Sequence, residues 1–140
     1  MIHLHDVAIL AAGAEAAGRG ASPLHWHEVP REAIAAVHAD LGHRLRPERA
    51  ERRLANGLRF LRFELDGRTV ASTWIAERQG RYLDEFNWLA PIADGECWVR
   101  DVFVTPSMRG RRLFARVVAT LAHGLERPMH RVWSDVDWDN

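Results

Sequence analysis

Asp101-Val102-Phe103-Val104-Thr105-Pro106-Ser107-Met108-Arg109-Gly110-Arg111-Arg112-Leu113-Phe114 is where one periodicity gives way to another. Cys97 to Val104 is rich in β-branched and aromatic residues and reads as a strand, which Pro106 ends because it cannot donate to a ladder. Arg109 to His123 then reads as an amphipathic helix, with Leu113, Val117 and Leu121 in one stripe, Phe114, Val118 and Leu125 beside it, and Gly124 as a stop. The first turn of a helix carries unpaired N–H groups and the positive end of the dipole, so this junction is a built-in anion site. Gly110 permits close backbone approach, and Arg109, Arg111 and Arg112 add charged donors suited to a diphosphate. The plainer reading is a strand-to-helix turn with solvated arginines. The stretch matches neither the Gly-Lys-Ser/Thr phosphate loop nor the Gly-x-Gly-x-x-Gly dinucleotide turn.

On the C-terminal side, Arg131 to Trp138 reads as a strand. Strand, helix and strand in that order predict a parallel pair joined by a crossover. On the N-terminal side, Leu58 to Leu65 and Thr69 to Glu77 alternate as strands around Asp66-Gly67, a strong hairpin signal, and Tyr82 to Leu89 reads as a third strand. Before them, Pro30 opens a helix with Ile34, Val37 and Leu41 on one face and Gly42 as its stop, and Pro47 opens a second that ends at Asn56-Gly57. The second helix is expected to expose Arg49, Arg52 and Arg53. The expected fold is α/β, a mixed and mostly antiparallel sheet with a βαβ unit near the C-terminus. Residues 1–29 are expected to form a poorly defined segment, with strand-like alternation at Ile2 to His5 and a poor helix from Ala8 to Ala17, and residues 30–140 the domain.

The chain has 140 residues, enough for one core without disulfide or metal support. Its 19 basic and 19 acidic side chains cancel, which argues against bulk attraction to nucleic acid or an anionic membrane. All 19 basic residues are arginine, so any phosphate grip must use guanidinium forks or backbone N–H groups. Such arginine usage also fits a GC-rich bacterial genome. Cys97 is the single cysteine, which excludes an intrachain disulfide and suits a cytoplasmic protein. No apolar run reaches the roughly 20 residues of a membrane span.

Val104-Thr105-Pro106, two residues, then Arg109-Gly110-Arg111-Arg112-Leu113-Phe114 resembles the central signature of the GCN5-related N-acetyltransferases, Val-x-Pro followed by Arg-Gly-x-Gly-hydrophobic-Gly/Ala. Asp101-Val102-Phe103-Val104 is similar to the Asp-Leu-Phe-Val that precedes it in many members, and the element order agrees from about Pro30 onward. The resemblance implies an acetyl-CoA-dependent N-acetyltransferase that moves an acetyl group to an amine by direct attack in a ternary complex. The amine would belong to a small molecule or a protein. It also implies roles. Backbone groups of Val102, Phe103 and Val104 would meet the pantetheine arm, N–H groups of Arg109, Gly110, Arg111, Arg112, Leu113 and Phe114 would hold the pyrophosphate, and Asn140 would lie near the reacting end. Arg112 and Phe114 depart from the signature; an arginine enters left-handed space only with strain, and Phe114 is expected to turn toward the core. The sequence stops at Asn140, before the helix and two strands that usually follow, and its one tyrosine, Tyr82, lies far upstream. These departures support an alternative, a non-catalytic acyl-CoA-binding domain of the same type. They also predict an open edge on the last strand and, through it, a homodimer.

Acetyl transfer to an amine needs a base and an oxyanion donor. The N–H of Val102 could serve as the donor. Many relatives carry a glutamate where this chain has Arg100, so the candidate bases are Glu85, Glu96 and Asp101, with Asp84 beside them. Each is equally readable as a surface carboxylate, as are Asp135 and Asp137. His3 with His5 and His25 with His27 could face one way on extended backbone, but no cysteine or acidic companion at close spacing supports a metal site, and none is expected. Trp74, Trp88, Trp98 and Trp133 fall on strands and read as core.

Overall fold

A computed structural model describes residues 5–10, 23–78, 80–83, 86–125 and 129–136. The strands are β1 (His5–Leu10), β2 (His25–Glu28), β3 (Arg59–Leu65), β4 (Arg68–Ala76), β5 (Arg81–Leu83), β6 (Trp88–Ala90), β7 (Glu96–Val104) and β8 (Arg131–Val136). The helices are α1 (Ile34–Leu41), α2 (Pro47–Ala55) and α3 (Leu113–Gly124). Six strands form one sheet in the order β1-β8-β7-β4-β3-β2, and β5 and β6 pair separately. Among the described residues β7 and β8 run parallel and the other neighbours are antiparallel. The fold class is the expected mixed, mostly antiparallel sheet with a βαβ unit.

Both faces of the sheet are covered. Leu61, Phe63, Ile75, Cys97 and Val99 pack beneath α3, against Leu113, Val117 and Leu121. Phe60, Trp74 and Trp98 pack on the other face with α1, against Ile34, Val37 and Leu41. Strands covered on both faces lose their solvated side, and β4 is buried at every position from Val70 to Ala76. The β3–β4 turn places Asp66 at φ 51° and Gly67 at φ 73°, the double left-handed geometry that Asp-Gly favours in a two-residue hairpin.

Several expectations are corrected. Ala8 to Leu10 is strand rather than helix, because six residues of β1 pair in register with β8 and that pairing overrides a weak local preference; residues 1–4 and 11–22 lie outside the described residues. The same pairing fills the edge of β8 that was expected to stay open, so the ground for a homodimer through that edge falls away. β2 lies before residue 30 and pairs into the main sheet through four residues of β3. The third strand is two strands, β5 and β6, with Asn87 at φ 47° just before β6. Trp88 is 57% exposed, Phe114 is exposed rather than turned inward, and Arg53 has no exposed surface at all.

Candidate functional site

The site begins where two strands part. β8 follows β7 from Glu96 opposite Arg131 to Val99 opposite Ser134, and the pairing stops there although both strands continue. On its other side β7 stays paired with β4, through a bulge. Ser72 faces Phe103 and Trp74 faces Arg100, so Thr73 lies opposite two residues, Asp101 and Val102. Asp101 takes φ 50° to make this bulge. The Thr73 hydroxyl donates to Arg100 O at 3.0 Å and ties it down.

Past the bulge, Thr105 N–H donates to Val70 O at 2.9 Å. Antiparallel ladders alternate, so Phe103 turns its backbone groups to β4 while Val102 and Val104 turn theirs into the gap. The contact of Arg109 Nε with Val104 O, at 3.3 Å, agrees with that direction. Of the three residues expected to offer backbone groups, the ladder therefore aims two into the gap.

The expected anion turn stands at the same end. A single 3-10 turn, Pro106–Met108, follows β7. Arg109 is then extended, Gly110 takes φ 75° and Arg112 takes φ 56°. Residues 109–112 are thus outside the helix they were expected to begin, and Arg112 adopts the left-handed conformation despite its side chain. Arg116 N–H closes onto Arg112 O at 3.2 Å, so Leu113, Phe114 and Ala115 are the first-turn donors without an acceptor inside the helix. A Cβ on Gly110 would meet nothing within 4 Å, so the turn is open on that side.

The candidate bases separate. Glu96 lies at the opposite end of β7, roughly 17 Å along the strand from Asp101 at about 3.3 Å per residue. It is 9% exposed, and its carboxylate accepts from Arg131 at 3.0 Å and from Trp133 Nε1 at 2.8 Å. That position does not bring it to the gap. Asp101 is at the gap, but its carboxylate pairs with Arg53 of α2 at 2.7 Å. Arg53 in turn lies 5.3 Å from the Trp74 ring. Asp84, Glu85, Asp137 and Asn140 lie outside the described residues. Tyr82 is buried and its hydroxyl bonds Asn87 Oδ1 at 2.8 Å. Cys97 is buried, and desolvation, then the nearby charge of Glu77, pushes its thiol up to about 12, which removes it as a nucleophile near neutral pH. His27 meets Glu64 at 3.3 Å. Among the described residues no group of three or more His, Cys, Asp or Glu side chains could hold a metal ion, and no helix is long and apolar enough to cross a membrane.

Sequence reasoning missed two residues. α1 ends with Gly42 at φ 71° and ψ 19°, Gly42 N–H donating to Ala39 O and His43 N–H to His38 O. These paired bonds form a Schellman close, which folds the chain back on the last helical turn. It brings His38 Nδ1 and His43 Nδ1 to 3.1 Å. His38 stacks on Phe60, and His43 lies nearly parallel to the Phe103 ring at 4.4 Å. Arg109 covers the same Phe103 ring at 5.7 Å, so one aromatic side chain links the anion turn to the histidines. Burial, then His43, then Arg53 lower His38 to about 4, against a smaller opposing effect of Asp101. Burial is also the largest cause lowering His43, followed by Asp101 in opposition and Arg53 in support. Both rings are therefore neutral at pH 7. The signal that could have found them is a pair of histidines on either side of a glycine helix stop.

No protein-family model matches the sequence, and no curated protein matches it either. Solved structures do match. A GCN5-related N-acetyltransferase from Kribbella flavida aligns with a TM-score of 0.50 and 17% identity, over 96% of this chain and 50% of that one. A possible acetyltransferase from Clostridium difficile 630 aligns with a TM-score of 0.50 and 10% identity, over 85% of this chain and 83% of that one. The chain thus spans about half the length of the Kribbella protein. At such identities the likeness is one of fold. The chain has the fold of the GCN5-related N-acetyltransferases.

Proposed function

We propose that this chain binds an acyl-CoA, acetyl-CoA in the first instance, and transfers the acyl group to an amine by direct attack. The observation that carries the reading is the parting of β7 from β8 after Val99, with an open arginine-glycine turn at the same end. A pantetheine arm is a chain of amides that needs strand-like backbone partners, and Val102 and Val104 offer them in the gap. A diphosphate needs N–H donors and positive charge; the turn from Gly110 to Phe114 supplies N–H groups, while Arg109, whose own N–H is taken by Pro106 O at 3.3 Å rather than offered as expected, supplies charge without a lysine. The fold supports the reading by analogy. Asn140 remains a proposed neighbour of the reacting end. The lone cysteine is in keeping with a cytoplasmic setting.

Calorimetric titration tests this. Saturable heat is expected with acetyl-CoA and with CoA. No binding at about 1 mM ligand, weaker than about −4 kcal/mol, sinks the reading. Arg109→Ala is expected to weaken acetyl-CoA about tenfold, within the range of one charge-assisted hydrogen bond. An unchanged affinity in that variant removes Arg109 from the site.

A second reading is binding without turnover. It is favoured by Tyr82, the one tyrosine, whose buried hydroxyl is engaged with Asn87 and is not offered to a leaving thiolate. Acetyl-CoA binding with no loss of thioester across a panel of amines would establish it.

A further inference from the structure

We infer that His43 accepts the proton of the acceptor amine, and that this amine is a monocation with an apolar body, held in the cavity between α1 and α2. The inference rests on the acyl-transfer reading above and deepens it. The cavity measures about 680 Å³, and both His38 and His43 line it. Its apolar wall includes Ile34, Leu45 and Leu54. Its charged lining is Arg31, Arg44 and Glu51, and Glu51 is already paired with Arg31 at 2.6 Å. Arg53, behind the histidines, adds buried positive charge to their surroundings. A second ammonium would find cations and one committed carboxylate there, so polyamines are disfavoured, whereas a single amine on an apolar body fits.

His43 has the contacts a base needs. One face of its ring lies on Phe103, between the two residues that turn their backbone into the gap. Its Nδ1 is held by His38 Nδ1 at 3.1 Å, and among the described residues nothing takes its Nε2. With the shared proton on His43 Nδ1 and donated to His38, Nε2 presents a lone pair. The groups facing the pair are His38 itself from α1, Arg53 from α2, and Asp101 and Phe103 from β7.

The step balances. The ammonium gives one proton to His43 Nε2 and becomes a neutral amine. Its nitrogen attacks the thioester carbonyl carbon, forming the C–N bond. The tetrahedral intermediate then breaks the C–S bond, and the second nitrogen proton goes to the departing thiolate, giving amide and CoA thiol. His43 returns its proton to water. His38 is a positioning residue, because it acts only through His43.

The test uses the full chain, acetyl-CoA as donor, and benzylamine and spermidine as acceptor probes, with thioester loss and acetyl-CoA affinity measured together. Benzylamine is expected to turn over at least tenfold faster than spermidine. His43→Gln is expected to keep its acetyl-CoA affinity and lose about a hundredfold or more in kcat, the usual contribution of a positioned base. It should also lose the limb of the pH–rate profile below pH 6.5, and free imidazole should partly restore His43→Ala. If His43→Gln fails to fold, the amine ratio and the acid limb of the unaltered chain still decide the matter. No acetyl-CoA binding overturns the acyl-transfer reading, and the inference with it. Binding with no turnover of either amine overturns the inference and leaves the binding reading standing. Turnover that His43→Gln leaves within threefold, or spermidine as the better acceptor, overturns the inference alone.

Discussion

Replacing Asp101 with asparagine is expected to destabilise the chain by about 1–3 kcal/mol, the cost of weakening a charge-assisted bond to a buried group. The two partners are unequal. Asp101 keeps 35% of its side chain exposed, whereas Arg53 has none exposed. Water reaches the carboxylate at position 101 but not the guanidinium. Asparagine is the informative substitution because it accepts left-handed backbone nearly as well as aspartate does, so the φ of 50° at the bulge is retained and only the charge changes. At about 1–3 kcal/mol per molar urea, the unfolding midpoint should fall by roughly 1 M. Arg53→Met combined with Asp101→Asn should recover most of the loss, since an apolar chain of similar length fills the site beneath Trp74 without a buried charge. A single-variant loss below about 1 kcal/mol, or a double variant no better than the single, contradicts this account.

That ion pair shows what the sequence could and could not disclose. Arg53 shares α2 with Arg49 and Arg52, and a run of arginines reads as one solvated face. Nothing local marks Arg53 as the one turned beneath Trp74, because its partner lies 48 positions away on β7. Where the cause of a conformation is local, the reading was sound. Asp66-Gly67 makes its turn, Pro47 opens α2, and Gly42 stops α1. Where the cause is distant, it failed. Ala8 to Leu10 has no decisive period and becomes strand only because β8 offers a partner. The four residues from Arg109 to Arg112 were read as the start of the helix and yet stay outside α3, held by the close of β7 and the left-handed turns at Gly110 and Arg112.

The site divides in the same way. The arginine-glycine turn was legible because its donors are consecutive in the chain. The gap beside Val102 and Val104 was expected only through the family resemblance, since it depends on where two strands more than 30 residues apart cease to pair. Glu96 was a reasonable candidate by residue type, but it stands at the start of β7, six residues before Val102, and a distance along a strand is invisible in a search for carboxylates. The histidines were overlooked for a different reason. Five positions separate them, which would splay them on a continuing helix; the Schellman close at Gly42 reverses the chain and brings the rings together.

Acid is expected to weaken the fold through the same histidines. His38 sits at about 4 in the folded chain against an ordinary value of 6.5. Between those values the unfolded chain binds a proton that the folded chain refuses. Stability therefore rises with pH across this window, is fully present above 6.5, and is lost as pH falls toward 4. A displacement of about 2.5 units at 1.36 kcal/mol per unit makes the His38 contribution roughly 3 kcal/mol. His43 is lowered by the same burial and adds to the loss in the same direction. Urea midpoints at pH 7, 6, 5 and 4 measure it. His38→Phe keeps a ring on Phe60 but cannot take a proton, so its midpoint should fall much less over that range, and the difference between the two proteins should move in the variant's favour as pH falls from 7 to 4. Parallel curves for the two proteins would contradict the assignment. The burial that makes the fold acid-labile also keeps both imidazoles neutral at pH 7, the state in which His43 can take a proton from an amine.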